Sequence, residues 1–116
     1  MKLPENTIIA SEKLISYLLV FKQRNDKSQW LATVGYTLKN WQQLENDLRT
    51  QILSGEAVAT ENTPYGQMYE IVGSLTGTNG KSLLICSVWM TELTTNITKF
   101  ITLFPHKDKQ NEISTL

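Results

Sequence analysis

The stretch from Met68 to Thr91 constrains this chain most. It reads MYEIVGSLT, then GTNGK, then SLLICSVWMT. Two apolar runs flank Asn79-Gly80, a pair that readily takes φ > 0 at both positions, as a type I′ hairpin turn requires. Tyr69, Ile71, Gly73 and Leu75 alternate with Met68, Glu70, Val72 and Ser74 along the first arm. In the second arm Leu84, Cys86, Val88 and Met90 share one face, and Leu83, Ile85, Ser87 and Trp89 the other. Both faces of the second arm are largely apolar, so it belongs at the centre of a sheet. Leu48, Ile71, Val88 and Trp41 are expected in one buried cluster.

The turn imitates another motif. GTNGKS resembles the phosphate loop of the Mur ligases. Such a loop needs a helix after its Lys, so that amides and the helix dipole face the phosphate. Here Lys81 is followed by SLLICSVW, which favours a strand, and Leu75 stands where the first Gly of G-x-x-x-x-G-K-[ST] belongs. The stretch reads as a turn, with no nucleotide site.

Upstream, the periodicity changes from two to about 3.6. Ser11 can cap a helix over residues 11 to 21 bearing Leu14, Ile15, Leu18 and Leu19, with Tyr17 and Phe21 alongside. Lys22 to Asp26 is a polar connector. Asp26 can cap a second helix, with Gln29 completing a capping box, Trp30, Leu31 and Val34 on it, and Gly35 as its stop. Thr37 caps a third, striped by Leu38, Trp41, Leu44, Leu48 and Ile52, with Glu45 and Arg49 placed to pair and Gly55 ending it. A short edge strand is expected over 56 to 61. Thr63-Pro64-Tyr65-Gly66 reads as a turn, 93 to 97 as a polar loop, and Thr98 to Phe104 as the last strand, broken by Pro105.

The fold class is therefore α+β: about three N-terminal helices on a three- to four-stranded antiparallel meander. Residues 1–105 form one domain, and 106–116 a polar tail. In 116 residues, 11 basic and 11 acidic side chains cancel, which argues against avid, global nucleic-acid binding but leaves room for a local basic patch. One Cys and one His supply neither a disulfide framework nor a metal site, and no cofactor motif is complete. With no signal-peptide pattern at the N-terminus and no membrane-length apolar run, a reducing cytoplasm is expected.

Taken in order, LPENTIIASEKLISYLL, KSQWLATVGYTLKNWQQLENDL, TPYGQMYEIVGSLTGTNGK, SVWM and the closing TLFP resemble a small prokaryotic domain family of unknown function, often cyanobacterial and found in toxin-like proteins. That family commonly writes the last element TAYP. At the level of fold, the arrangement is similar to ribonuclease toxins of the barnase/EndoU/colicin/RelE class. The resemblance implies a metal-independent ribonuclease of a toxin–antitoxin pair, with RNA as substrate and a small antitoxin-like protein as partner. By position it carries over Lys27, Thr102 and Tyr65. Members often have a His shortly before that Lys, where this chain has Lys22, Gln23 and Arg24.

His106, the one histidine, could replace the missing base. Lys27 and Arg24 could hold a phosphate. Thr102 is expected to share a strand face with Phe100 and Phe104, which also suits a packed core position, and Tyr65 can pack over the hairpin. The catalytic candidates are Lys27, Tyr65, Thr102 and His106, expected on one concave face. The alternative is a non-catalytic protein-interaction module on the same fold.

Overall fold

A computed structural model describes residues 1–24 and 26–107. Asn25 and the greater part of the expected polar tail, 108–116, lie outside the described residues. Three short helical segments precede four strands: α1 (Ser11–Lys13), α2 (Ser28–Ala32), α3 (Trp41–Asp47), β1 (Val58–Thr63), β2 (Gly66–Thr76), β3 (Ser82–Glu92) and β4 (Thr98–Pro105). The sheet is an open antiparallel meander in the order β1-β2-β3-β4, so β3 is an interior strand, as its two apolar faces suggest. No helix among the described residues is long and apolar enough to cross a membrane.

The helices are less regular than the periodicity implies. α1 widens into a π-helical turn at Leu14–Leu18. It ends there rather than at residue 21, because Asp26 Oδ1 accepts the N–H of Lys22 (3.2 Å) and holds the chain in a loop. Ala10, not Ser11, is the cap residue. Asp26 accepts from the N–H and hydroxyl of Ser28 (3.3 and 2.7 Å), so α2 begins at Ser28 behind an Asp-anchored turn rather than a Gln29 box. Gly35, at φ +97°, ends the α2 region, and Tyr36 N–H returns to Leu31 O at 3.2 Å.

Thr37 forms a capping box with Asn40 and opens a 3₁₀ turn, Leu38–Asn40, that leads into α3. α3 continues as a π-helical stretch, Leu48–Leu53. Leu44, Leu48 and Ile52 are fully buried, whereas Leu38 is exposed and Trp41 partly buried. Arg49 does not seek Glu45. Its guanidinium donates to the carbonyls of Glu5 and Thr7 (3.1 and 2.9 Å), tying the N-terminal segment to this helix.

The core lies between helices and sheet. Ile71, Leu75, Ile85, Trp89, Phe100 and Leu103 face Leu14, Leu18, Leu44, Leu48 and Ile52. Trp89 meets Phe100 edge to face at 5.1 Å. Its indole N–H donates to Ser87 Oγ (2.7 Å), which donates to Ile71 O (2.8 Å), so the polar groups in this layer are paired. Val88 is not in this cluster. It points away from Trp89 onto the sheet's other face and is half-buried, which corrects its expected core position.

The hairpin turn also differs from expectation. Gly80 has φ +83° but Asn79 does not have a positive φ, so the two-residue type I′ turn is absent. Gly80 N–H bonds to Gly77 O (3.2 Å) and Gly77 N–H to Lys81 O (2.9 Å), a longer loop in which Gly80 alone takes the left-handed conformation. The reason is docking. Thr78 Oγ1 donates to Gly35 O and Asn79 Nδ2 to Thr33 O (3.0 and 3.1 Å), clamping the loop on the end of α2. A Cβ on Gly77 would stand 1.9 Å from Val34 O. The GTNG run is a tertiary clamp.

In β4, Thr102 pairs with Val88 and Phe100 with Trp89, so Ile101 is an extra residue in the strand. Phe100 and Leu103 therefore both reach the core, and Thr102 leaves the face of Phe100. The expected shared face of Phe100, Thr102 and Phe104 is broken at this bulge.

Gly77→Ala is expected to lower stability by about 1–3 kcal/mol, while Lys81→Ala changes nothing and ATP gives no thermal shift. Ile85→Asp should abolish the cooperative melt, whereas Val88→Asp keeps one. Circular-dichroism melts of the variants check all of these.

Candidate anion-binding cleft

β4 is the sheet's last strand, and its outer edge is covered in part. Ile8 bridges Lys99 in parallel, with Ile8 N–H to Thr98 O at 2.9 Å and Phe100 N–H to Ile8 O at 2.8 Å. Beyond Phe100 the bulge turns the edge toward the connector between α1 and α2. There a cleft of about 390 Å³ is lined by Lys13, Tyr17, Leu18, Lys22, Arg24, Lys27, Ile101 and Thr102.

Lys13, Lys22 and Lys27 are each placed by local contacts. Lys13 and Tyr17 are one helical turn apart, beside Leu14 and Leu18, which enter the core. Lys22 Nζ sits 4.3 Å from the Tyr17 ring centroid and Lys13 Nζ 5.8 Å, so one aromatic ring holds two ammonium groups. Asp26 pins both ends of the connector through Lys22 and Ser28. Its hydrogen bond from the Ser28 side chain holds its carboxyl below the usual range. Lys27, at the threshold of α2, reaches across and donates to Thr102 Oγ1 at 3.2 Å.

The cleft carries four cationic side chains and no carboxylate among its lining residues. Among the described residues none of the four forms an ion pair within 4.0 Å. Burial, and then the charge of Lys22, push the Lys27 ammonium below its ordinary range. A chain whose total charge is zero thus gathers like charges at one point. An anion bound between them relieves the repulsion, and the Lys27–Thr102 pair offers it an ammonium and a hydroxyl side by side.

The structure brings Lys27 and Thr102 together and adds Arg24, as the sequence suggested. Tyr65 is 77% exposed at the β1–β2 turn, where its carbonyl accepts from Leu93 N–H (2.9 Å). It does not line the cleft. His106 leaves the end of β4, exposed, its N–H bonded to Leu84 O at 3.1 Å, and it too lies outside the lining. The sequence reading missed Lys13, Tyr17 and Ile101. The i, i+4 spacing of Lys13 and Tyr17 on the polar side of the Leu14/Leu18 stripe was the available signal.

Cys86 is no nucleophile at neutral pH, since burial, followed by the charge of Glu70, pushes its thiol up to about 11. Among the described residues no group of three or more His, Cys, Asp or Glu side chains could hold a metal ion.

Fold and cleft together define an α+β domain with a local cationic cleft at one sheet edge. The chain belongs to the family described as Domain of unknown function (DUF6883), whose model matches residues 2–107. No curated protein and no solved structure matches it.

Because the pKa of Lys27 is lower in the folded chain than its ordinary 10.5, the folded state binds fewer protons than the unfolded one in the window between the two values. Stability therefore rises with pH through that window, and at neutral pH the charged Lys27 is a cost. Lys27→Met is expected to keep or raise the melting temperature at neutral pH, with the gain shrinking as pH approaches the ordinary lysine range. Melts across a pH series measure this.

Proposed function

We propose that this domain acts on RNA, as a metal-independent, ribonuclease-like toxin module that grips the phosphodiester backbone in the cationic cleft. The observation that carries the reading is the meeting of Lys27 and Thr102 in a cleft also lined by Lys13, Lys22 and Arg24. RNA offers the dense anionic charge such a cleft favours. In metal-free cleavage the 2′-oxygen attacks the adjacent phosphorus and the bond to the 5′-oxygen breaks. A 2′,3′-cyclic phosphate and a 5′-hydroxyl result, with one proton moving from the first oxygen to the second.

Lys27 and Arg24 stabilise the charge of the phosphorane, and the Thr102 hydroxyl orients a non-bridging oxygen. Lys27, whose burial weakens its hold on its proton, is suited to donate to the departing 5′-oxygen. His106 is the imidazole available to accept the 2′ proton from a substrate that runs past the end of β4. Tyr65, remote from the cleft lining, is left to contact a longer substrate. A neutralising antitoxin-like partner would present carboxylates to the same cleft, and RNA as substrate implies action in the cytoplasm.

One observation favours the second reading, a non-catalytic interaction module. No side chain lining the cleft ordinarily titrates near neutrality.

Induced expression in a bacterial host is expected to slow growth and to yield RNA fragments ending in 2′,3′-cyclic phosphate. Lys27→Met should relieve both by at least tenfold without lowering the melting temperature. His106→Ala should relieve them if the imidazole is the base. Normal growth with intact RNA, alongside retained RNA binding, would leave the interaction module standing instead.

A further inference from the structure

Resting on that reading, we infer that the groove next to the cleft is a nucleobase subsite, which makes single-stranded RNA the substrate class. Lys27 is shared by two concavities. On its other side Asp26, Lys27, Trp30, Phe104 and Pro105 line a groove of about 440 Å³. That lies within the roughly 300–1,000 Å³ of small-ligand sites.

The character of the two concavities differs. The cleft gathers ammonium and guanidinium groups. The groove is walled by an indole, a phenyl ring and a proline ring, with Lys27 lining both concavities. Phe104 is 38% exposed, large for an aromatic beside a core, and Trp30 is only partly buried. The Asp26 carboxylate is turned to the start of α2, where its Oδ1 serves Lys22 and Ser28.

A phosphate beside two aromatic rings matches the repeat of a nucleic-acid strand, in which each phosphate is joined through a sugar to a flat base. Aromatic platforms take bases of any identity by stacking, but only bases free of a partner strand. In an A-form duplex the paired bases are stacked inside and cannot enter a side groove. The same logic separates RNA from a bare polyanion, which would fill the cleft and leave the groove empty. The bulge at Ile101 serves both halves. It puts Thr102 in the cleft, and two residues on Phe104 reaches the groove.

The test uses uncleavable 2′-O-methyl RNA. Binding of a single-stranded octamer, its hairpin duplex counterpart and inorganic polyphosphate is measured by fluorescence anisotropy or competition. The octamer is expected to bind at least tenfold more tightly than the duplex. Phe104→Ala should weaken the octamer about tenfold, the scale of one stacked base, and leave polyphosphate unchanged. Lys27→Met should weaken both. Trp30→Leu, a milder change at a partly packed position, should reproduce the Phe104→Ala pattern if that variant does not fold. Equal affinity for octamer and duplex, or indifference of the octamer to both aromatic substitutions, overturns the base subsite while leaving the phosphate cleft intact. No binding of any of the three ligands overturns the subsite and the RNA reading together.

Discussion

One extra residue in β4 governs how this sheet is used. Without it, Phe100 and Leu103, three positions apart, would point to opposite faces, because side chains alternate with a period of two. With Ile101 unpaired opposite the Val88–Trp89 step, Phe100 meets Trp89 and Leu103 meets Ser87, and both are buried. The core gains two large side chains from one strand. Thr102, displaced from that face, becomes available to Lys27. Core packing and cleft are two results of the same irregularity.

The cleft depends on a second constraint, the looped connector. Asp26 gathers three donors from Lys22 and Ser28 and ends the helical path early, so the chain crosses the end of β4 instead of continuing along the helical layer. The connector is rich in cations, and their mutual repulsion is tolerated because Tyr17 takes two ammonium groups on its ring. The depressed Lys27 pKa reflects burial first and the neighbouring Lys22 charge second. Charge neutrality of the whole chain concealed this crowding of cations, since a net charge does not show how charges are distributed.

The GTNG run shows how a motif can be both informative and misleading. Its glycines are needed, but for contact rather than for phosphate. Gly77 lies against Val34 O and Gly80 turns the chain, while Thr78 and Asn79 bind the carbonyls that end α2. The rejection of a phosphate loop followed from the strand after Lys81, and the hairpin was legible. The turn type was not, because it is set by a segment more than forty residues away.

The family resemblance nominated Lys27 and Thr102, whereas local chemistry determined the α+β order, the meander, the interior position of β3 and the Gly35 and Thr37 helix boundaries. Each of the latter rests on near neighbours in sequence: a period, a cap, a turn. Tertiary structure decided which face Val88 and Thr102 occupy, where α1 stops, and which cations share a cleft. These depend on the cross-strand register, on Asp26 reaching back to Lys22, and on Lys13, Lys27 and Thr102 meeting from separate elements. A bulge leaves no mark in a pattern of alternation that reads plausibly without it, and only the competition among Phe100, Leu103 and their partners for the core selects it.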